Sequence, residues 1–113
     1  MDDKDLAHNF QRNRTRYWIR KGLSLPQVAA VFDKITMPRD IGKPAPVATF
    51  MPWDMKIVII PAMRHLYFAV HITLLHEMAH VYLELERGYV GHGKPFQREI
   101  DRLYALGAFR KLI

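Results

Sequence analysis

The sequence predicts an α+β fold from three observations: a helical period near the N-terminus, one β-branched run in the middle, and a long uninterrupted helical stretch followed by a second helix. Asp5–Lys21 places Leu6, Phe10 and Tyr17 on one side and Arg12, Arg16 and Arg20, four apart, on another, which is the pattern of an amphipathic helix. Ile57-Val58-Ile59-Ile60 is β-branched throughout and is stopped by Pro61. From Leu66 to Arg87 there is no Gly or Pro, and Gly88 supplies a C-terminal stop. At 113 residues and 13.3 kDa the chain can bury one core but not two, so residues 1–113 are expected to form a single domain.

The remaining elements follow in order. Gly22 ends the first helix. Leu25-Pro26 opens a short segment through Phe32 that suits a helix or, given Val28, Val31 and Phe32, a strand. Met37–Pro52 carries four prolines and Gly42, and reads as an irregular or edge-strand connection. Val47–Met51 is the natural partner for the 57–60 strand, with Pro52-Trp53-Asp54 as the turn between them and Trp53 laid over the sheet. After the glycine-rich loop Gly88–Gly93, Pro95 falls in the first turn of the last helix, which should turn Phe96, Ile100, Leu103, Tyr104 and Leu106 inward. Met51, Met55, Met63 and Met78 are expected to fill the core, and His8 to lie at the surface.

Composition narrows the chemistry. Half of the residues are hydrophobic and a quarter are charged, as in an ordinary globular chain. There is no cysteine, which excludes disulfide frameworks, thiolate nucleophiles, iron–sulfur clusters and Cys-based zinc modules. Any metal must therefore be held by imidazole and carboxylate. The first ten residues, MDDKDLAHNF, are acidic and lack the apolar core of a secretory signal, and the longest apolar runs are broken by charge and His. A cytoplasmic protein with no membrane partner is expected. The net charge is +6, and five basic residues fall in Arg12–Lys21 with no acid among them, a balance that favours polyanionic partners.

One stretch carries the chemistry: Leu74-Leu75-His76-Glu77-Met78-Ala79-His80-Val81-Tyr82-Leu83 sets two imidazoles and a carboxylate in an apolar run. Residues four apart share a helix face, so His76 and His80 can aim two ring nitrogens at one point, at the roughly 2.0–2.1 Å that zinc requires. Glu77, one position on, falls beside such an ion, where it can take a proton from a bound water, as the HExxH pattern implies for metallopeptidases. Burying two imidazoles and a carboxylate within one turn is costly unless a charge compensates them. His92, in Gly91-His92-Gly93-Lys94-Pro95-Phe96, is the preferred third ligand, because glycines on both sides allow a tight turn onto the helix face. Glu99, in QREIDR, is the competing candidate, although it also suits a solvated position. His71, five positions before His76, should point away.

The combination TLLHEMAHVYL followed by GHGKPFQREI resembles the SprT family, whose members include the Spartan-type proteases that cut proteins crosslinked to DNA. The similarity takes in KIVIIPAM and covers roughly residues 45–105, and more loosely the first helix. The resemblance implies His76, His80 and His92 as zinc ligands, Glu77 as catalytic acid/base, and a small zincin-like domain. The sequence departs from that family in lacking the Cys-rich zinc ribbon that many relatives add, and in a shorter loop between His80 and His92 than in Spartan-type members.

The function expected is therefore that of a zinc endopeptidase, possible substrates being DNA-associated proteins. Glu77 would assist attack of a zinc-bound water on the peptide carbonyl, with Tyr89 or His65 as candidates to steady the oxyanion. Substrate would lie extended along Val47–Met51 or Lys56–Ile60 as an added strand. The alternative is a nucleic-acid-binding module with a structural zinc, in which Arg12, Arg16 and Arg20 contact DNA phosphates while Tyr17 and Trp18 offer rings for base stacking. A third reading, a catalytically silent zincin, is opposed by the intact Glu77.

Overall fold

A computed structural model describes residues 1–35 and 46–110. Its elements run helix α1 (Asp3–Tyr17), strand β1 (Ala29–Phe32), strand β2 (Ala48–Met51), strand β3 (Lys56–Ile59), helix α2 (Tyr67–Arg87) and helix α3 (Lys94–Ala105), with short 3-10 turns at Ile19–Lys21, Pro52–Asp54 and Pro61–His65. The fold is α+β, three helices with a three-stranded sheet. Most of the irregular connection expected from Met37 lies outside the described residues.

Helix α1 starts earlier than its apolar period suggested, because Asp2 and Asp5 form a reciprocal capping box. The Asp5 amide donates to the Asp2 carboxylate at 2.8 Å and the Asp2 amide to Asp5 at 3.1 Å, which satisfies two otherwise orphaned donors. That hydrogen bond from the Asp5 amide is also the main reason the Asp2 carboxyl titrates below its usual range. The α-helix ends at Tyr17, and a 3-10 turn carries the chain to Gly22, whose φ of 76° only a glycine adopts without strain.

In the ambiguous 25–32 segment only Ala29–Phe32 is regular, as strand β1, and residues 25–28 are neither helix nor strand. β1 pairs in parallel with β3, and β2 pairs antiparallel with β3, giving the order β1-β3-β2. Strand β3 is thus central, which explains why Ile57, Val58 and Ile59 are all buried. The expected pairing of Val47–Met51 with the 57–60 strand is present in the register Ala48 to Ile59 and Met51 to Lys56. Because both sides of β3 are paired, Lys56–Ile60 cannot be a substrate-binding edge; of the two strands proposed for that role only β2 has an unpaired side among the described residues.

The core joins Leu6, Phe10 and Trp18 from the first helix and its turn, Ile57 and Ile59 from the sheet, and Leu74, Met78 and Val81 from α2. Leu103 of α3 completes it. Four expectations fail at the margins. Tyr104 is 63% exposed, because the buried stripe of α3 is Phe96, Glu99 and Leu103, and Tyr104 lies about 80° around the helix from Phe96 at 100° per residue. Trp53 sits in the turn as expected but is 72% exposed rather than laid over the sheet. Met55, placed in the core from sequence, is exposed at the turn with φ 49°, and only Met78 of the four named methionines is fully buried. Tyr17 and Trp18 are buried, Trp18 completely, so neither ring is available to stack on a base. Among the described residues no helix is long and apolar enough to cross a membrane.

Candidate metal centre

Helix α2 sets the site. Its buried stripe, including Leu74, Met78 and Val81, locks the helix against the core, and the adjacent face carries His76 and His80 outward, one turn apart. The two Nε2 atoms lie 3.1 Å from each other. His92, on the loop after α2, brings its Nε2 within 3.1 Å of the His80 Nε2. Together the three residues offer ligand atoms that all lie within 4.8 Å of one another.

That convergence fits a metal ion better than it fits hydrogen bonding. The His80 Nε2 carries one N–H or one lone pair, directed along a single axis, so hydrogen bonding satisfies one of its two close contacts and leaves the other unmatched. Nitrogens about 2.0–2.1 Å from a common point and 3.1 Å apart subtend about 95–102°, close to a tetrahedral angle. Burial lowers the pKa of His76, with a further contribution from His92, and burial together with the neighbouring His76 and His92 rings lowers His80 to about 4. Both rings are therefore neutral at pH 7, the form that binds a metal.

Loop geometry places His92. Gly91 adopts φ 129°, a conformation that side-chain-bearing residues rarely take. The Gly93 amide donates to the Tyr89 hydroxyl at 2.8 Å, closing the loop on itself. A Cβ on Gly93 would meet that hydroxyl at 2.5 Å, so an alanine there must push the tyrosine tip aside and break the hydrogen bond that closes the loop. Tyr89 thus serves as a clasp for the ligand loop, and neither it nor His65 lines the groove at the histidines. We expect Gly93→Ala to weaken zinc binding by about tenfold or more, in line with other changes to groups that orient ligands. Competition against a chromophoric chelator measures it, and adding Tyr89→Phe, which removes the same clasp, should cost little further.

Two contributors carry only weak sequence signals. Phe96, in the first turn of α3, stacks on His80 with ring centroids 4.4 Å apart and planes 19° apart, and meets His76 and His92 edge-on at 4.9 and 5.0 Å. It is the floor of the cluster and restrains all three rings, whereas its sequence position marks only an inward-facing apolar residue. Glu84 lines the groove beyond His80. Its only signal is its position, four residues past His80 on the same helix face.

Glu99, the competing ligand, is elsewhere. It is 5% exposed, not solvated, and is ion-paired with Arg102, which also donates to the Tyr17 carbonyl at 2.7 Å and so ties α3 to α1. His71 faces away from the cluster, as its spacing requires, into a separate cleft with Arg12.

Glu77 is 7% exposed and lines the same groove as the three histidines, a cleft of about 340 Å³ whose opposite wall is β2, through Ala48, Thr49 and Phe50. Burial raises its pKa to about 7. The two shifts act on stability in opposite senses. Between pH 7 and 4.5 the Glu77 carboxyl is protonated in the folded chain and ionised in the unfolded one, so acidification over that range stabilises the fold. Between pH 6.5 and 4 the His80 ring is neutral when folded and protonated when unfolded, so acidification destabilises. Removing the carboxyl in Glu77→Gln leaves the His80 effect unopposed. Metal-free Glu77→Gln is expected to lose stability from pH 7 to 5 more steeply than metal-free wild type, by up to about 1.4 kcal/mol per pH unit, read from urea midpoints at the two pH values.

Fold and site together define an α+β chain with three histidines close enough to bind a metal ion, beside a buried glutamate in an open groove. Compared with protein-family models, with curated proteins and with solved structures, the chain has no match.

Proposed function

We propose that the chain is a zinc-dependent endopeptidase with a minimal SprT-like, zincin-like core, acting on extended segments of protein, DNA-associated proteins among them. The observation that carries this reading is the shared groove: the ligand atoms of His76, His80 and His92 lie within 4.8 Å of one another, Glu77 stands in the same cleft, and Ala48, Thr49 and Phe50 of β2 line it as well. His76, His80 and His92 would hold the zinc. An ion with three imidazole ligands supplies Lewis-acid polarisation and lowers the pKa of water to about 7 in its open fourth position.

The chain's own residues supply the rest. A peptide laid along β2 can pair with its exposed amides and carbonyls as an added strand, which presents successive carbonyls to the groove. Glu77, with a pKa near 7 in the metal-free chain, becomes a stronger acid beside a cation, so it is ionised and ready to accept a proton. It takes one proton from the attacking water as the C–O bond forms. It then delivers that proton to the amide nitrogen as the C–N bond breaks, so one water is consumed and both products leave uncharged at the cut until they equilibrate. Phe96 restrains the imidazoles during this sequence, and the Tyr89–Gly93 clasp holds His92.

A nucleic-acid-binding module with a structural zinc is the competing reading. It loses its proposed stacking rings to the core, and it assigns no role to a buried carboxylate that opens onto the cluster. The separating experiment uses untagged protein reconstituted with one equivalent of zinc and incubated with a denatured basic protein, with and without DNA. Endoproteolytic fragments support the peptidase; intact substrate in both arms favours the module.

A further inference from the structure

We propose that the cleft between α1 and the start of α2 binds single-stranded nucleic acid, seating phosphates on Arg12 and Arg16 and a base against Tyr67 and Phe68. The sequence draws attention to the arginine stripe, but the rings beside it in sequence, Tyr17 and Trp18, are buried. The fold supplies different rings. Tyr67 and Phe68, at the first turn of α2, are 57% and 62% exposed and line a cleft of about 300 Å³ together with Arg12, Arg16 and His71.

A second cleft of about 360 Å³ shares Arg16 and Tyr17 with the first and continues past Arg20, Lys21 and Arg110. The two form one track of five permanent cations with an aromatic wall at one end, and among the described residues no carboxylate lines either cleft. Among the described residues none of the five is in an ion pair. By contrast the metal groove is lined by Glu77 and Glu84, so the excess positive charge of the chain is concentrated away from the site of proposed hydrolysis.

That combination selects the ligand. Cations alone attract any polyanion, duplex DNA and polyphosphate included, through release of counterions. Exposed rings add a term that only an unstacked base can satisfy, since in a duplex the base faces are already covered. Arg12 and Arg16 lie one helical turn apart, about 6 Å along the axis, a step comparable to one nucleotide of an extended strand. The track therefore suits a short single strand read without base-edge contacts.

The test is binding of fluorescein-labelled dT15, rU15, a 15-base-pair duplex and polyphosphate across a salt series, and it requires no hydrolysis, so its failure is separable from failure of the peptidase reading. The variants are Phe68→Ala, Phe68→Tyr and the double change Arg12→Gln/Arg16→Gln, all at exposed positions. Wild type is expected to bind a single strand more tightly than duplex or polyphosphate. Phe68→Ala should weaken single-strand binding by roughly 5- to 150-fold without changing the salt slope, and Phe68→Tyr should restore it. The arginine double variant should reduce the magnitude of the slope by about 1.4, two phosphates at about 0.7 each. If dT15 binds and rU15 does not, or the reverse, the site is assigned to that strand type. Equal binding of all four ligands, or single-strand affinity unmoved by Phe68→Ala, overturns the proposal and leaves a merely basic face.

Discussion

Replacing His92 by Ala is expected to take the untagged protein from about one bound zinc per chain to almost none, while Glu99→Gln keeps its zinc. The contrast follows from where the two side chains sit. His92 brings its Nε2 to 3.1 Å from that of His80 and completes a three-nitrogen set; Glu99 is buried against Arg102, outside that set. Removing a ligand outright should cost more than the roughly 10- to 100-fold that changes to ligand-orienting groups cost. Glu99→Gln has its own signature: it leaves the Arg102 guanidinium beside a neutral amide, so it should lower stability while sparing metal content. Metal analysis after dialysis, paired with urea denaturation, reads both effects. If Glu99→Gln released the zinc and His92→Ala retained it, the ligand assignment would be reversed.

Glu77→Gln is expected to do the opposite, holding zinc at one equivalent while lowering peptide hydrolysis by about 10²- to 10⁴-fold, the usual contribution of a positioned acid/base. Gln has the shape of Glu but no basic oxygen, so it should leave the three imidazoles undisturbed and stop proton transfer from water to the leaving amine. Burial raises the Glu77 pKa to about 7 in the metal-free chain, whereas a cation in the cluster would lower it. In the zinc-loaded enzyme the acidic limb of the activity profile should therefore fall below pH 7, and that limb should vanish with the carboxyl. Hydrolysis of a quenched fluorescent protein substrate, followed at matched zinc content for wild type and variant, measures the ratio. Comparable rates in the two proteins would remove Glu77 from the mechanism.

Much of the site is legible in the sequence because it rests on local rules. Helical periodicity alone puts His76 and His80 on one face, and a glycine on either side of His92 signals a loop able to fold back. The structure brings these three together, and the loop conformation, with Gly91 at φ 129° and Gly93 against the Tyr89 hydroxyl, accounts for the glycines. The β-branched run likewise announces a strand, though not its place: that β3 lies between β1 and β2 depends on a parallel pairing with β1 across a long stretch of chain.

Other features depend on tertiary neighbours and leave no local trace. Glu99 lies in a polar-looking segment, and its burial depends on Arg102 one turn away and on the Tyr17 carbonyl that Arg102 also reaches. Phe96 reads as one more apolar residue of an amphipathic helix, and only the packing of α3 under α2 makes it the floor of the histidine cluster. Trp18 sits next to the arginine stripe in sequence yet lies wholly in the core, while Tyr67 and Phe68, some fifty residues away, stand exposed beside those arginines. Adjacency in the chain is a poor guide to which rings accompany which charges.

The most direct measurement of the central claim is a zinc titration of the metal-free, untagged chain with hydrolysis of a denatured basic protein as the readout. The three-histidine site beside Glu77 predicts endoproteolytic activity that rises linearly and breaks at one equivalent of zinc per chain. Zinc bound at one equivalent with no cleavage at any ratio would contradict it.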